Sequence, residues 1–128
     1  MIIKDLTLYR ETFQVETTRP QRRELRVALT GCADLRVQNE FAALIHAIHQ
    51  EAWNMNVTMV YVNMEKLKFL NSGCFKSLCT WVRLLLGRQA SYKIRILSNP
   101  RYHWQARSLT AMHMLAPEMV SIETIEPK

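Results

Sequence analysis

The run Val57-Thr58-Met59-Val60-Tyr61-Val62-Asn63-Met64 is apolar and β-branched. That is the character of a strand covered on both faces. A few residues later comes Leu67-Lys68-Phe69-Leu70-Asn71-Ser72-Gly73-Cys74-Phe75-Lys76. It reads as a short loop followed by Asn-Ser at the start of a helix. Phe75, Leu78, Val82, Leu85 and Leu86 then recur at helical spacing. Gly87 sits where a helix C-terminal glycine belongs. A buried strand followed by an amphipathic helix is the repeating unit of an α/β sheet.

Upstream, Val37, Phe41, Leu44, Ile45, Ile48 and Ala52 predict another helix, with Asp34 and Asn39 as alternative caps. Leu8 to Thr17 alternates, with Tyr9, Phe13 and Val15 on one face, and predicts a strand. Thr18-Arg19-Pro20-Gln21 reads as the turn after it. Leu25, Val27 and Leu29 mark the second arm of a hairpin, ended by Thr30-Gly31. Downstream, Lys93 to Ser98 predicts a short strand. Asn99-Pro100 looks like an N-cap followed by proline at the first helical position. Trp104, Leu109, Met112 and Leu115 continue that helix to Ala116-Pro117, and Val120 to Ile125 closes the chain as a strand. The expected order is β-β-α-β-α-β-α-β. This is a mostly parallel mixed sheet with an N-terminal hairpin and three main helices, in one domain spanning residues 1–128.

Composition narrows the function. The chain has 128 residues, 48% hydrophobic and 22% charged, which excludes a disordered tail or a fibre. No apolar run approaches the ~18 residues of a membrane helix, and Met1-Ile2-Ile3-Lys4-Asp5 lacks a signal-peptide core. The three cysteines, Cys32, Cys74 and Cys79, are an odd set, so free buried thiols in a reducing cytoplasm are expected. The net charge of +6 permits nucleic acid, anionic membrane or acidic protein partners. It is unevenly spread. Residues 66–107 carry nine basic side chains (Lys66, Lys68, Lys76, Arg83, Arg88, Lys93, Arg95, Arg101 and Arg107) and no acidic one.

Catalytic motifs are missing from the sequence. There is no Walker loop, no dinucleotide glycine pattern and no nucleophile elbow. Three glycines (Gly31, Gly73 and Gly87) are too few for a backbone phosphate cradle. His46 and His49 are three apart on the first helix and could share a face, but no third ligand accompanies them. His103 and His113 read as surface or half-buried residues of the last helix. Met59, Met64, Met112, Met114 and Met119 read mostly as core or core edge. The reading is therefore not an enzyme, with no metal and no cofactor.

The Leu67–Lys76 junction and the element order together resemble the STAS family, the anti-sigma factor antagonists and their relatives. That family's signature here is an apolar pair, then Asp-Ser-Ser-Gly opening a helix. Phe69-Leu70 matches the pair. Asn71 stands for the aspartate, Ser72 for the phosphorylated serine, Gly73 for the second serine and Cys74 for the glycine. Thr30-Gly31-Cys32-Ala33-Asp34 is similar to the family's Thr-Gly-x-x-Asp. Leu97-Ser98-Asn99-Pro100 resembles its entry to the last helix. The resemblance runs from about Tyr9 to Ile125. Leu70-Asn71-Ser72 also resembles a STAS-like subgroup with Leu-Asn-Thr, whose threonine is phosphorylated and some of whose members control a diguanylate cyclase.

The resemblance implies a cytoplasmic bacterial signalling module, switched by phosphorylation of Ser72. Its partners would be a serine kinase or anti-sigma factor, or a related signalling protein, and a cognate phosphatase. Asp34, Asn71, Gly73, Cys74, Phe75, Lys76 and Asn99 would form the partner surface. Independently, a helix N-terminus favours an added phosphate, and Lys76 lies one turn on. The plainer alternative is that Ser72 simply caps its helix, or that Asn71 does and Ser72 lies in the first turn. A constitutive STAS subunit of a lipid ABC transporter is the runner-up function. Nucleic-acid binding through Tyr92, Tyr102, Trp104 and nearby arginines is the least favoured.

Overall fold

The protein is described by a computed structural model covering residues 2–87 and 92–125. Met1, residues 88–91 and residues 126–128 lie outside the described set, and with them Arg88 of the basic run. The strands form one six-stranded sheet in chain order: β1 (Leu8–Tyr9), β2 (Phe13–Gln21), β3 (Glu24–Ala33), β4 (Met59–Leu70), β5 (Lys93–Ser98) and β6 (Val120–Thr124). Between them lie α1 (Gln38–Asn54), α2 (Ser72–Gly87) and α3 (His103–Leu115). β1–β2 and β2–β3 are antiparallel, and the later neighbours are parallel. The expected order therefore holds from Phe13 onward, preceded by one extra short strand.

That extra strand corrects the reading of Leu8 to Thr17. Leu8 pairs with Val15 and Tyr9 with Gln14, so the segment folds back on itself. Phe13 and Val15 are buried, but Tyr9 is 52% exposed and does not share their face. The expected turn at Thr18-Arg19-Pro20-Gln21 is also displaced. β2 runs through it, and the reversal falls at Arg22-Arg23. The register shifts between Thr18 and Gln21. Pro20 sits at that irregularity, where its missing N–H is tolerated.

Monotonic strand order fixes the layers. Each parallel crossover moves one strand the same way, and right-handed crossovers then put all the helices on one face. Leu25, Val27, Leu29, Val60, Val62, Met64, Ile94 and Ile96 point under the helices and are buried. Phe41, Leu44, Ile45, Ile48 and Ala52 of α1 meet them, as expected. The buried face of α2 is Cys74, Leu78, Trp81, Val82 and Leu85; Phe75 is half-buried and Leu86 is 49% exposed. The opposite sheet face carries Met59, Tyr61 and Asn63 and is open, so Val57–Met64 is covered on one face and not on both.

β3 and β4 are both longer than expected. β3 does not end at Thr30-Gly31 but continues to Ala33, where Gly31 has φ +96°. A Cβ on Gly31 would lie 2.2 Å from the Thr12 carbonyl oxygen. That oxygen accepts the Cys32 N–H at 2.8 Å. β4 takes in the expected loop. Its register against β3 slips twice, near Thr30 and near Cys32, so bulges let Leu67 return to the core while Phe69 stays 48% exposed.

Candidate functional site at the end of β4

Ala33 pairs with Leu70, and the Asn71 N–H donates to the Ala33 carbonyl at 2.9 Å. Asp34 and Ser72 therefore both lie just past the paired ends of β3 and β4. α2 begins at once, without a loop. The Asn71 Oδ1 accepts the Cys74 N–H at 2.8 Å, which makes Asn71 the N-cap. Its Nδ2 donates to Gln38 Oε1 at 3.1 Å. Gln38 lies over Gly73, where a Cβ would come within 2.1 Å of its side chain. Any side chain at residue 73 displaces Gln38 and with it the bond that orients the cap.

With the capping role taken, Ser72 is the first residue of α2 and is exposed. Its hydroxyl has no hydrogen-bond partner among the described residues. Lys76 is exposed one turn later. Asp34 does not cap α1. It caps the 3-10 turn Leu35–Val37, accepting the Arg36 N–H at 3.0 Å, while α1 starts behind Val37 with no side-chain cap at either Asp34 or Asn39. Arg36 also grips the Asp34 carboxylate, with Nη2 donating to Oδ2 at 2.9 Å. That grip holds the carboxyl below its ordinary range. Burial, and second the Asp34 charge, push the Cys74 thiol up to about 11. Asp34 is thus electrostatically felt at the first turn of α2. Beside this cluster, Arg10 pairs with Glu40 on the first turn of α1.

Three expected site residues do not join the cluster as contact groups. Cys74 faces the core and is fully buried. Phe75 packs half-buried against the core. Asn99 is distant because the strands end unevenly. β5 pairs with β4 only as far as Asn63↔Leu97, which sets Asn99 level with Glu65. Asn71 is six residues farther on, about 20 Å at ~3.3 Å per residue. Nor does Asn99-Pro100 open α3. Asn99 Oδ1 accepts the Arg101 N–H at 2.9 Å in a turn, and the helix starts at His103 behind Tyr102.

What Asn99 does is structural. β4 overshoots β5, and side chains replace the missing neighbour. Asn99 Nδ2 donates to the Glu65 carbonyl at 2.8 Å. Gln105 Nε2 donates to the Met64 and Leu67 carbonyls at 2.8 and 2.9 Å. Trp104 Nε1 donates to the Lys68 carbonyl at 2.8 Å. Gln105 Oε1 accepts the Asn99 N–H at 2.8 Å, so its buried amide is fully used. Sequence reading missed Gln105. The available signal was a polar residue in phase with Leu109 and Met112, on the inward face of α3.

The histidine and aromatic candidates also resolve. His46 is exposed, whereas His49 is buried with Nδ1 2.6 Å from the Tyr92 hydroxyl, so they do not share a face. Among the described residues no group of three His, Cys, Asp or Glu could hold a metal ion. Tyr92 is buried beneath Trp81, whose Nε1 donates to its hydroxyl, and is closed to base stacking. Met114 is 70% exposed, unlike its core neighbours Met64 and Met112. The cysteines are free: Cys74 is buried, and Cys32 and Cys79 are half-buried. No helix among the described residues is long and apolar enough to cross a membrane.

No protein-family model and no curated sequence matches the chain. Solved structures do. The unphosphorylated anti-sigma factor antagonist SpoIIAA aligns at 19% identity and TM-score 0.56, over 88% of this chain and 89% of that one. The phosphorylated form, the Bacillus cell fate determinant, aligns at 20% and 0.58, over 86% and 91%. A chain from the complex of the diguanylate cyclase SiaD with its activator SiaC, from Pseudomonas aeruginosa, aligns at 12% and 0.63, over 93% and 98%. The sheet order, the crossovers and these alignments agree: the chain has a STAS-like fold.

Proposed function

We propose that this protein is a non-enzymatic signalling module of the anti-sigma factor antagonist type, switched by phosphorylation of Ser72. The observation that carries the reading is the division of labour at the start of α2. Asn71 supplies the cap, which leaves the Ser72 hydroxyl exposed and unbonded among the described residues. A serine needed for capping would lose that bond on modification; this one does not.

A phosphate on Ser72 adds ~1.5–2 negative charges at the positive end of a helix. Lys76 and Arg36 are the nearby cations, and Arg36 is already neutralised by Asp34. The modified site would therefore turn from mildly basic to acidic. An acidic partner held by the Ser72 end of α2 would be released. The kinase brings the nucleotide, so the chain needs no catalytic group of its own.

SpoIIAA supports an anti-sigma factor as partner. A cyclase is the second reading, favoured by Leu70-Asn71-Ser72 and by the alignment over 93% of this chain to the SiaD–SiaC complex. Calorimetric titration against the serine kinase and the cyclase encoded nearest the gene tests both. Ser72→Ala should bind like the natural protein and Ser72→Glu at least ~10-fold more weakly, a loss of about 1.4 kcal/mol. Equal binding by the two variants rejects the switch and leaves the constitutive subunit.

A further inference from the structure

The face of the sheet away from the helices carries an ordered pattern. β3 to β6 are parallel, and parallel strands are almost always covered on both sides. Here no described residue covers the outer side. Cross-strand register sets its side chains in rows. One row reads Thr18, Arg26, Tyr61, Arg95, Ser121 across β2 to β6. The adjacent row reads Glu16, Ala28, Asn63, Leu97, Glu123. They border a shallow concavity of about 460 Å³. Arg26 lies over the Tyr61 ring at 4.7 Å, and Arg95 reaches Glu123 at 3.4 Å.

We propose that this open face is the interface of a face-to-face homodimer. The rows are self-complementary under one operation. A two-fold axis in the interface plane, perpendicular to the strands and between the rows, sets each row over the other row of the second copy. Arg26 then meets the second copy's small Ala28, with Glu16 of that copy one strand outward. Arg95 meets the second copy's Leu97, with its Glu123 one strand outward. Tyr61 faces the second copy's Asn63, whose Oδ1 accepts the Glu65 N–H and whose Nδ2 has no hydrogen-bond partner among the described residues. Strands ~4.8 Å apart keep each guanidinium within reach of its glutamate. A two-fold axis parallel to the strands would instead set Arg26 against Arg95. Of these two isologous arrangements the charge pattern selects the first, two aligned sheets ~10 Å apart. The footprint, about 24 by 20 Å from strand spacing and rise, is below the ~800 Å² per partner of a standard interface. An interface of that size belongs with weak, transient contacts.

Sedimentation equilibrium of the full chain from about 1 to about 200 μM tests this. The natural protein should pass from monomer to dimer across that range, at lower concentration in low salt. Arg26→Glu with Arg95→Glu should weaken self-association at least ~100-fold, as should Glu16→Arg with Glu123→Arg. Mixing these two variants should restore a dimer, because a face whose two rows carry only acidic charges then meets one whose two rows carry only basic charges, with Glu24 and Lys93 outside the two rows unchanged. Circular dichroism melting confirms that each variant folds. Ser72→Glu should leave dimerisation unchanged, since Ser72 lies at the strand ends, so this test is separate from the phosphorylation switch. A natural protein monomeric at about 200 μM, dimers indifferent to the charge reversals, or no association on mixing would each overturn the proposal.

Discussion

The two flanks of the last half of β4 are held by different means. On one side β3 runs beside it to the end, and backbone pairs with backbone as far as Ala33↔Leu70. On the other side β5 stops early, and the carbonyls of Met64, Glu65, Leu67 and Lys68 are met by Asn99, Trp104 and Gln105. The regular flank brings Asp34 to the start of α2. The improvised flank lets β4 reach past β5 and present Asn71 and Ser72 apart from the Asn99 turn. A strand that outruns its neighbour needs a substitute for it, and α3 provides one.

The improvised flank should be the easier to break. Gln105→Ala strands the Met64 and Leu67 carbonyls and the Asn99 N–H in a buried place. We expect a loss of about 3 kcal/mol in urea unfolding, since each unsatisfied buried group costs ~1–3 kcal/mol. On the regular flank, Gly31→Ala sets a Cβ at 2.2 Å from the Thr12 carbonyl at positive φ. It should cost about 2 kcal/mol by the same measurement, within the ~1–3 kcal/mol of a strained backbone site. Asn71→Ala removes the cap where the flanks end and should cost about 1 kcal/mol. A larger loss from Gly31 than from Gln105 would reverse the comparison.

An effect absent at neutral pH concerns Cys74 under that junction. Its folded thiol titrates at about 11, above the ordinary value of 9.0. The protonated form is therefore favoured by folding. Its contribution is complete at neutral pH and is lost as pH rises from about 9 through about 11. Cys74 should resist a thiol-directed disulfide reagent at pH near 8 in the native protein and react once urea unfolds it.

These flanks also mark where the sequence stops being readable. Phe41, Leu44, Ile45 and Ile48 announce α1 by their period, because local pattern and burial coincide there, and Val57–Met64 announces a strand by its β-branched run, though only alternate residues of it are buried. The stretch Leu67–Leu70 looks like a loop since its bulges break the alternation, and only β3 supplies the pairing that makes it strand. Asn99-Pro100 carries the local chemistry of a helix start, yet its amide serves Glu65 instead. Of the proposed site, Asn71 and Ser72 are legible as a helix start. Which of them caps is a matter of side-chain geometry. The burial of Cys74 and the remoteness of Asn99 follow from register and strand length, neither of which is local. The open sheet face was hidden for the same reason: handedness and strand order leave it bare, not the residues of β4.

The proposed switch stands or falls with Ser72. Phosphosite mapping by mass spectrometry, after incubation with the cognate serine kinase and ATP, tests it most directly. We expect a single phosphate on Ser72, absent from Ser72→Ala. A phosphate on another residue, or none while the kinase modifies its own substrate control, would contradict it.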